Sequence, residues 1–170
     1  LSLRRQRQMC IRDSDGGANI TFNSGDTWTT QFNQPTAEIY QVEVDDQYPY
    51  WLYGGQQDNS TIKISSIGAR GGISERDWSA YAGGESAFLA FDPDDPSIVM
   101  GGSYLGSINI FDTKANARKK VMIEPINYIG RASRDMKYRF NWNAPIIWSQ
   151  HEQNTFYHAA QHLFKTNDQG

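Results

Sequence analysis

Apolar and polar side chains alternate over short runs in this chain and never settle into the spacing of a long helix. Residues 61–65 (TIKIS) and 107–110 (SINI) put their isoleucines on one face at a period of two, the pattern of half-buried strands. Residues 98–100 (IVM) and 155–157 (TFY) are instead short apolar runs between turn residues, which predicts strands buried on both faces. Turn chemistry separates such runs at residues 45–49 and 92–96 (DPDDP), where Asp bonds nearby amides and Pro presets φ. Two stretches break the pattern. Residues 68–84 read as a long connecting loop, and residues 115–141 as polar and irregular, with a short helical turn at 131–137.

The pattern also repeats. Residues 42–60 and 89–107 are imperfect copies at an offset of 47: Asp45 meets Asp92, Pro49 meets Pro96, Gly54 and Gly55 meet Gly101 and Gly102, and Ser60 meets Ser107. The triplet Trp51, Leu52, Tyr53 falls on Ile98, Val99, Met100. A weaker third copy at an offset of 57 puts Ile146, Ile147 and Trp148 in the places of Leu89, Ala90 and Phe91, with Gln153 where the other copies have proline. Self-similarity at roughly 40 to 50 residues in strand-like units predicts an all-β fold built as a β-propeller, each copy being one four-stranded blade. The chain then covers about three blades plus a partial blade, where a closed ring takes roughly four to eight. The remaining blades are expected to lie outside it.

Composition alters this picture mainly at the ends. Residues 4–13 (RRQRQMCIRD) read, codon by codon, as a transposase-type sequencing adaptor, so residues 1–14 are expected to be a non-native leader and residues 15–170 the incomplete propeller. That leader holds four arginines against one aspartate, so the rest of the chain is more acidic than the formal charge of −3 for the whole. An acidic body disfavours phosphate backbones, and no nucleic-acid partner is expected. Cys10, the single cysteine, sits in the same leader, which removes disulfides, cysteine zinc sites and thiol nucleophiles from consideration. No run approaches the roughly 18 apolar residues of a membrane helix. The chain stops within a turn motif at residues 165–170, and both ends read as truncations.

Residues 21–28 (TFNSGDTW) resemble the Asp-box, or BNR repeat, whose pattern is Ser/Thr-x-Asp-x-Gly-x-Thr/Ser-Trp. Thr21, Gly25, Thr27 and Trp28 fit, and Asn23 stands where Asp is usual. Residues 166–170 (TNDQG) fit the first five positions through Thr166, Asp168 and Gly170. The logic is structural: a hairpin tip whose carboxylate or amide bonds turn amides, and whose glycine supplies positive φ. With YGGQQDN at 53–59, GGES at 83–86, FDPDDP at 91–96 and YRFNWNAP at 138–145, the chain resembles the bacterial sortilin N-terminal-like BNR propellers. These are often labelled glycosyl hydrolases through their similarity to xyloglucanase-type propellers. The resemblance implies an exported protein, periplasmic or extracellular, that recognises a peptide or glycan by its loops and central channel; alternatively it implies a glycoside hydrolase with part of its acid/base pair outside the chain.

A glycosidase needs two carboxyl groups at a set separation, and here Asp58 and Glu85 are the candidates. Asp58 lies in an amide-rich run with Gln56, Gln57 and Asn59, of the kind that bonds sugar hydroxyls, and Glu85 follows Gly83-Gly84, which lets backbone approach a ligand. The same residues equally make a turn (Asp58, Asn59) and a cap on strand-start amides (Glu85). Arg139, Asn141, Trp142 and Asn143 form a second candidate, an aromatic platform with amides and a guanidinium, or else a strand edge over core aromatics. His151, His158 and His162 cluster without a complete ligand set, and residues 92–95 make a solvated turn more readily than a calcium site, so neither a metal nor any other cofactor is expected.

Overall fold

The computed structural model describes residues 10–14, 17–30 and 37–170, and the chain divides into two compact units, Leu1–Ala37 and Glu38–Gly170. In the first unit β1 (Cys10–Ser14) pairs antiparallel with β2 (Gly17–Thr21), in register from Cys10↔Thr21 to Ser14↔Gly17. Residues 1–9 of the leader lie outside the described residues. The turn after β2 is held from inside: the Thr21 hydroxyl donates to Asn23 Oδ1 (2.9 Å) and accepts the Gly25 amide (3.0 Å), while Asn23 Oδ1 also accepts the Thr27 amide (2.9 Å).

The second unit contains three antiparallel sheets, each a simple meander. The first holds β3 (Ile39–Val44), β4 (Trp51–Gln56), β5 (Ser60–Ser65) and β6 (Trp78–Ala80). The second holds β7 (Leu89–Phe91), β8 (Ile98–Gly102), β9 (Ile108–Asp112) and β10 (Ala117–Lys120). The third holds β11 (Ile146–Trp148), β12 (Phe156–Ala159) and β13 (Leu163–Thr166). Among the described residues there is no α-helix, only 3-10 turns at Tyr104–Gly106 and Ser133–Asp135, the latter inside the stretch expected to turn. The fold is all-β.

Both stretches expected to be irregular contain an edge strand. β6 pairs with β5 inside residues 68–84, and β10 pairs with β9 inside residues 115–141. Neither shows alternation because an edge strand with every residue exposed has no buried face to mark it, and the Arg-Lys-Lys of β10 suits an edge that must not pair further.

Aspartates directly after β3 and β7 do matching work. The Asp45 amide donates to the Trp51 carbonyl (3.3 Å) and the Asp92 amide to that of Ile98 (3.0 Å), closing the loop before each strand. Asp45 Oδ1 accepts the Trp51 amide (2.9 Å), Oδ2 accepts the Tyr53 hydroxyl (2.7 Å), and Asp92 Oδ1 accepts the Asp94 amide (2.9 Å). Burial, and after it the bond to Asp45, pushes the Tyr53 phenol well above its ordinary value.

The core lies in two layers on either side of the second sheet. Leu89, Val99 and Phe111 pack toward Tyr53, Tyr81, Ala82 and Ala87; on the opposite face Ala90, Met100, Ile108 and Ile110 pack toward Val121, Ile146, Trp148 and Phe156. Successive residues of β8 thus enter opposite layers, as the pleat requires. Close approach is made possible by glycine: a Cβ on Gly55 would stand 2.5 Å from the Glu85 carbonyl oxygen, and one on Gly101 2.3 Å from the Gly83 nitrogen. One face of the first sheet, through Tyr53, packs into the core. On the other, Val44, Leu52, Ile64 and Trp78 line up across all four strands, with Val44 51% and Trp78 47% exposed.

Candidate functional site

At one end of the sheets the β4–β5 hairpin presents Gln57, Asp58 and Asn59. This turn is tight: Asp58 and Ser60 take φ of 60° and 64°, and the Asn59 side-chain amide donates to the Gln57 carbonyl (3.1 Å). The Tyr40 hydroxyl donates to Gln57 Oε1, which fixes the orientation of that amide. Residues 83–87 run alongside, where the Asp58 amide donates to Glu85 Oε2 (2.9 Å) and the Thr61 hydroxyl to the Gly84 carbonyl (2.6 Å). Asp58 and Glu85, chosen from sequence 27 residues apart, therefore meet. They meet through a main-chain amide, so Glu85 holds the hairpin while the Asp58 side chain is exposed.

One residue further on, the buried Ser86 hydroxyl donates to the Trp142 carbonyl (3.0 Å). That bond anchors the third element of the site. The Trp142 indole stacks on Tyr104, with ring centroids 4.8 Å apart and planes within 18°, and remains 45% exposed. Tyr104 belongs to the β8–β9 turn, whose Leu105 and Gly106 take φ of 56° and 76°. A Cβ on Gly106 would strike the Phe140 ring at 2.5 Å, so this glycine seats Phe140 and hence the segment that carries Trp142.

Of the residues singled out in the sequence, Gln57, Asp58, Asn59, Glu85 and Trp142 are joined by these bonds. Gln56 supports the turn from β4, its side-chain amide 3.5 Å from the Asn59 carbonyl. Asn143 has a buried Oδ1 without a protein partner. Arg139 and Asn141 are exposed, and the Arg139 amide is taken by Gln161, whose own amide nitrogen donates to the Lys137 carbonyl (3.2 Å); this clamps the segment to the β12–β13 turn. Phe140 stacks on His158 at 4.7 Å and belongs to the interior.

Tyr40, Ser86 and Tyr104 were not anticipated. The signal for Tyr104 was present, since at the offset of 47 it falls on Gln57 of the amide-rich run. Ser86 carries no pattern of its own, because its role depends on a contact 56 positions away.

The terminal box repeats the scheme of the first. The Thr166 hydroxyl donates to Asp168 Oδ1 (2.5 Å) and accepts the Gly170 amide (3.1 Å), with Gly170 at φ 90° beside 100° at Gly25. Bonds from Thr166 and from the Gly170 amide hold the Asp168 carboxyl below its ordinary value. Among the described residues no three His, Cys, Asp or Glu side chains gather as a metal site. His162 lies in the β12–β13 turn rather than on a strand face shared with His158, and Asp95 is taken up by Ser97 and Lys114, which hold it at about 2.

No protein-family model matches the chain, and no curated protein matches it.

Proposed function

We propose that the chain is part of a β-propeller of the sortilin-like BNR kind and serves as a ligand-recognition module, with the hairpin end of its sheets as the binding surface. In this reading the three sheets are successive blades, and the module acts outside the cytoplasm. The observation that carries it is the indole of Trp142, stacked on Tyr104 and left half open to solvent, with its main-chain carbonyl bonded to Ser86 next to the Glu85 that holds the Gln57–Asn59 turn. A flat indole face suits the C–H face of a sugar ring, and neighbouring amides and carboxylates suit its hydroxyls. Between the two ligand classes expected, glycan is therefore favoured over peptide. Calorimetric titration with neutral β-linked oligosaccharides tests this: binding should be saturable and fall at least tenfold in Trp142→Ala. Retention of full affinity by that variant would refute the assignment.

The exposed side chain of Asp58, on a turn held by Glu85, supports a second reading, a glycoside hydrolase on polysaccharide in which one of these carboxyls acts as acid or base and its partner lies outside the chain. Release of reducing ends by the chain, abolished in Asp58→Asn or Glu85→Gln, would establish it. Binding without turnover would leave the recognition module standing.

A further inference from the structure

Charge is divided unevenly over the larger unit. Residues 38–95 carry eleven carboxylates against three lysines and arginines, whereas residues 117–139 carry seven lysines and arginines against two carboxylates, Glu124 and Asp135. All seven cations are exposed. In a chain with a formal charge of −3, this basic stretch sets up a local field that attracts anions.

A cavity of about 210 Å³ opens between that stretch and the β8–β9 turn. Residues 103–105 and Ser107 form one wall, and Lys120, Met122 and residues 126–129 the other, all from the interior of the chain. The second wall is held in place by Tyr128, which is buried: its hydroxyl donates to Glu124 Oε2 (2.8 Å) and accepts the Lys137 amide (3.4 Å), and the Arg131 guanidinium lies 6.0 Å from its ring centroid. Glu124 is thus taken up by Tyr128, and no carboxylate lines the cavity.

Lys120 is the one charged side chain in the lining, and among the described residues it enters no ion pair. Arg118, two positions back on the same face of β10, lies over the Phe111 ring at 4.8 Å. Asn127 adds hydrogen-bonding capacity, since its Oδ1 accepts the Ile129 amide (2.9 Å) and leaves the donors of Nδ2 for a ligand. Tyr104 joins the cavity to the candidate site, because the same residue lines it and stacks on Trp142. The volume falls below the roughly 300 to 1,000 Å³ of pockets for drug-sized ligands and suits a single ring.

Resting on the glycan reading of Trp142, we propose that the glycan carries an anionic sugar, a uronate or a sulfated unit, whose acidic group enters this cavity beside Lys120. The exposed Asp58 of the Gln57–Asn59 turn repels the same group, so the division of charge sets which way the ligand lies across the hairpin end.

The test is calorimetric titration of the whole chain at low ionic strength with three ligands: cellotetraose, the β-linked tetraglucuronate that carries carboxylates in place of its primary hydroxyls, and sulfated cellotetraose. One acidic ligand at least should bind about fivefold more tightly than cellotetraose. Lys120 is exposed, so Lys120→Gln keeps the fold; it should erase that gain and leave cellotetraose affinity unchanged, while Trp142→Ala should weaken all three. The ligand that gains distinguishes carboxylate from sulfate. No gain for either acidic ligand, with cellotetraose binding still dependent on Trp142, overturns the anionic-sugar proposal and leaves the glycan reading intact. Affinities unaltered in Trp142→Ala overturn the reading itself, and binding of none of the three overturns both. A gain that persists in Lys120→Gln, or equally tight binding of a short oligothymidylate, overturns the proposal as well.

Discussion

The first and second sheets of the larger unit share a frame and differ in what surrounds it. Asp45 and Asp92, the paired glycines of β4 and β8, and the left-handed Asp58 and Leu105 all coincide at the offset of 47, with φ of 60° and 56° at the last pair. Yet Val99 and Met100 of the second sheet are fully buried, whereas Val44 and Trp78 of the first are half exposed. Burial on two faces is therefore a property of the neighbours a sheet acquires rather than of its own strands. The side chains at the hairpin ends differ too: Gln57 and Asp58 in one sheet, Tyr104 and Leu105 in the other, on turns that share a left-handed residue. Where the frame is kept and the side chains diverge, folding does not dictate the residues, which is why the hairpin end is the place to look for function.

The largest effect should come from the covered sheet. Met100→Ala removes a side chain with no exposed surface and is expected to cost about 3–4 kcal/mol in urea unfolding, while Val44→Ala, on the bare face, should stay within about 0.5 kcal/mol. Similar losses for both would erase the distinction between the sheets. Equivalent glycines should separate next. Gly101→Ala drives a Cβ to 2.3 Å from the main-chain nitrogen of Gly83 and should cost about 3 kcal/mol, whereas Gly54→Ala meets mainly the Ile39 side chain at 2.9 Å and should cost about 1 kcal/mol.

Alkali should reach the first sheet through its tyrosines. Tyr53 and Tyr81 have raised folded values, so their contribution is fully present below the ordinary value of 10.0 and is lost as pH rises above it. Met100 takes the place of Tyr53 in the second sheet, so Tyr53→Phe should flatten the alkaline limb of the stability profile; an unchanged limb would exclude Tyr53 as its source. His158 acts in the opposite sense. Its lowered folded value makes its contribution complete above the ordinary 6.5 and lost as pH falls below it, so His158→Phe should flatten the acid limb. The smallest effect belongs to the boxes: Asn23→Asp should change stability by no more than about 0.5 kcal/mol, since either side chain supplies the oxygen that accepts the Thr27 amide.

Much of the frame was legible. Alternation located β5 and β9, unbroken apolar runs located β8 and β12, and the Asp and Gly positions of the repeat marked the loops and close approaches around β4 and β8. The edge strands β6 and β10 were not legible, because exposure on all sides leaves no period to read. At the site, the amide-rich turn, Glu85 and Trp142 could be chosen by residue type. The bond from Ser86 to Trp142 could not, because it arises from a contact between distant segments.

The separation of folding from recognition is tested most directly by measuring stability and oligosaccharide affinity together in Trp142→Ala and Met100→Ala. Trp142→Ala gives up a stacked pair and part of a half-exposed ring, so it should lower stability by only about 1 kcal/mol while affinity falls at least tenfold. Met100→Ala should do the reverse, losing stability while its folded fraction binds as before. If Trp142→Ala instead unfolds the chain, or binds with unaltered affinity, the hairpin end is part of the scaffold and the recognition surface lies elsewhere.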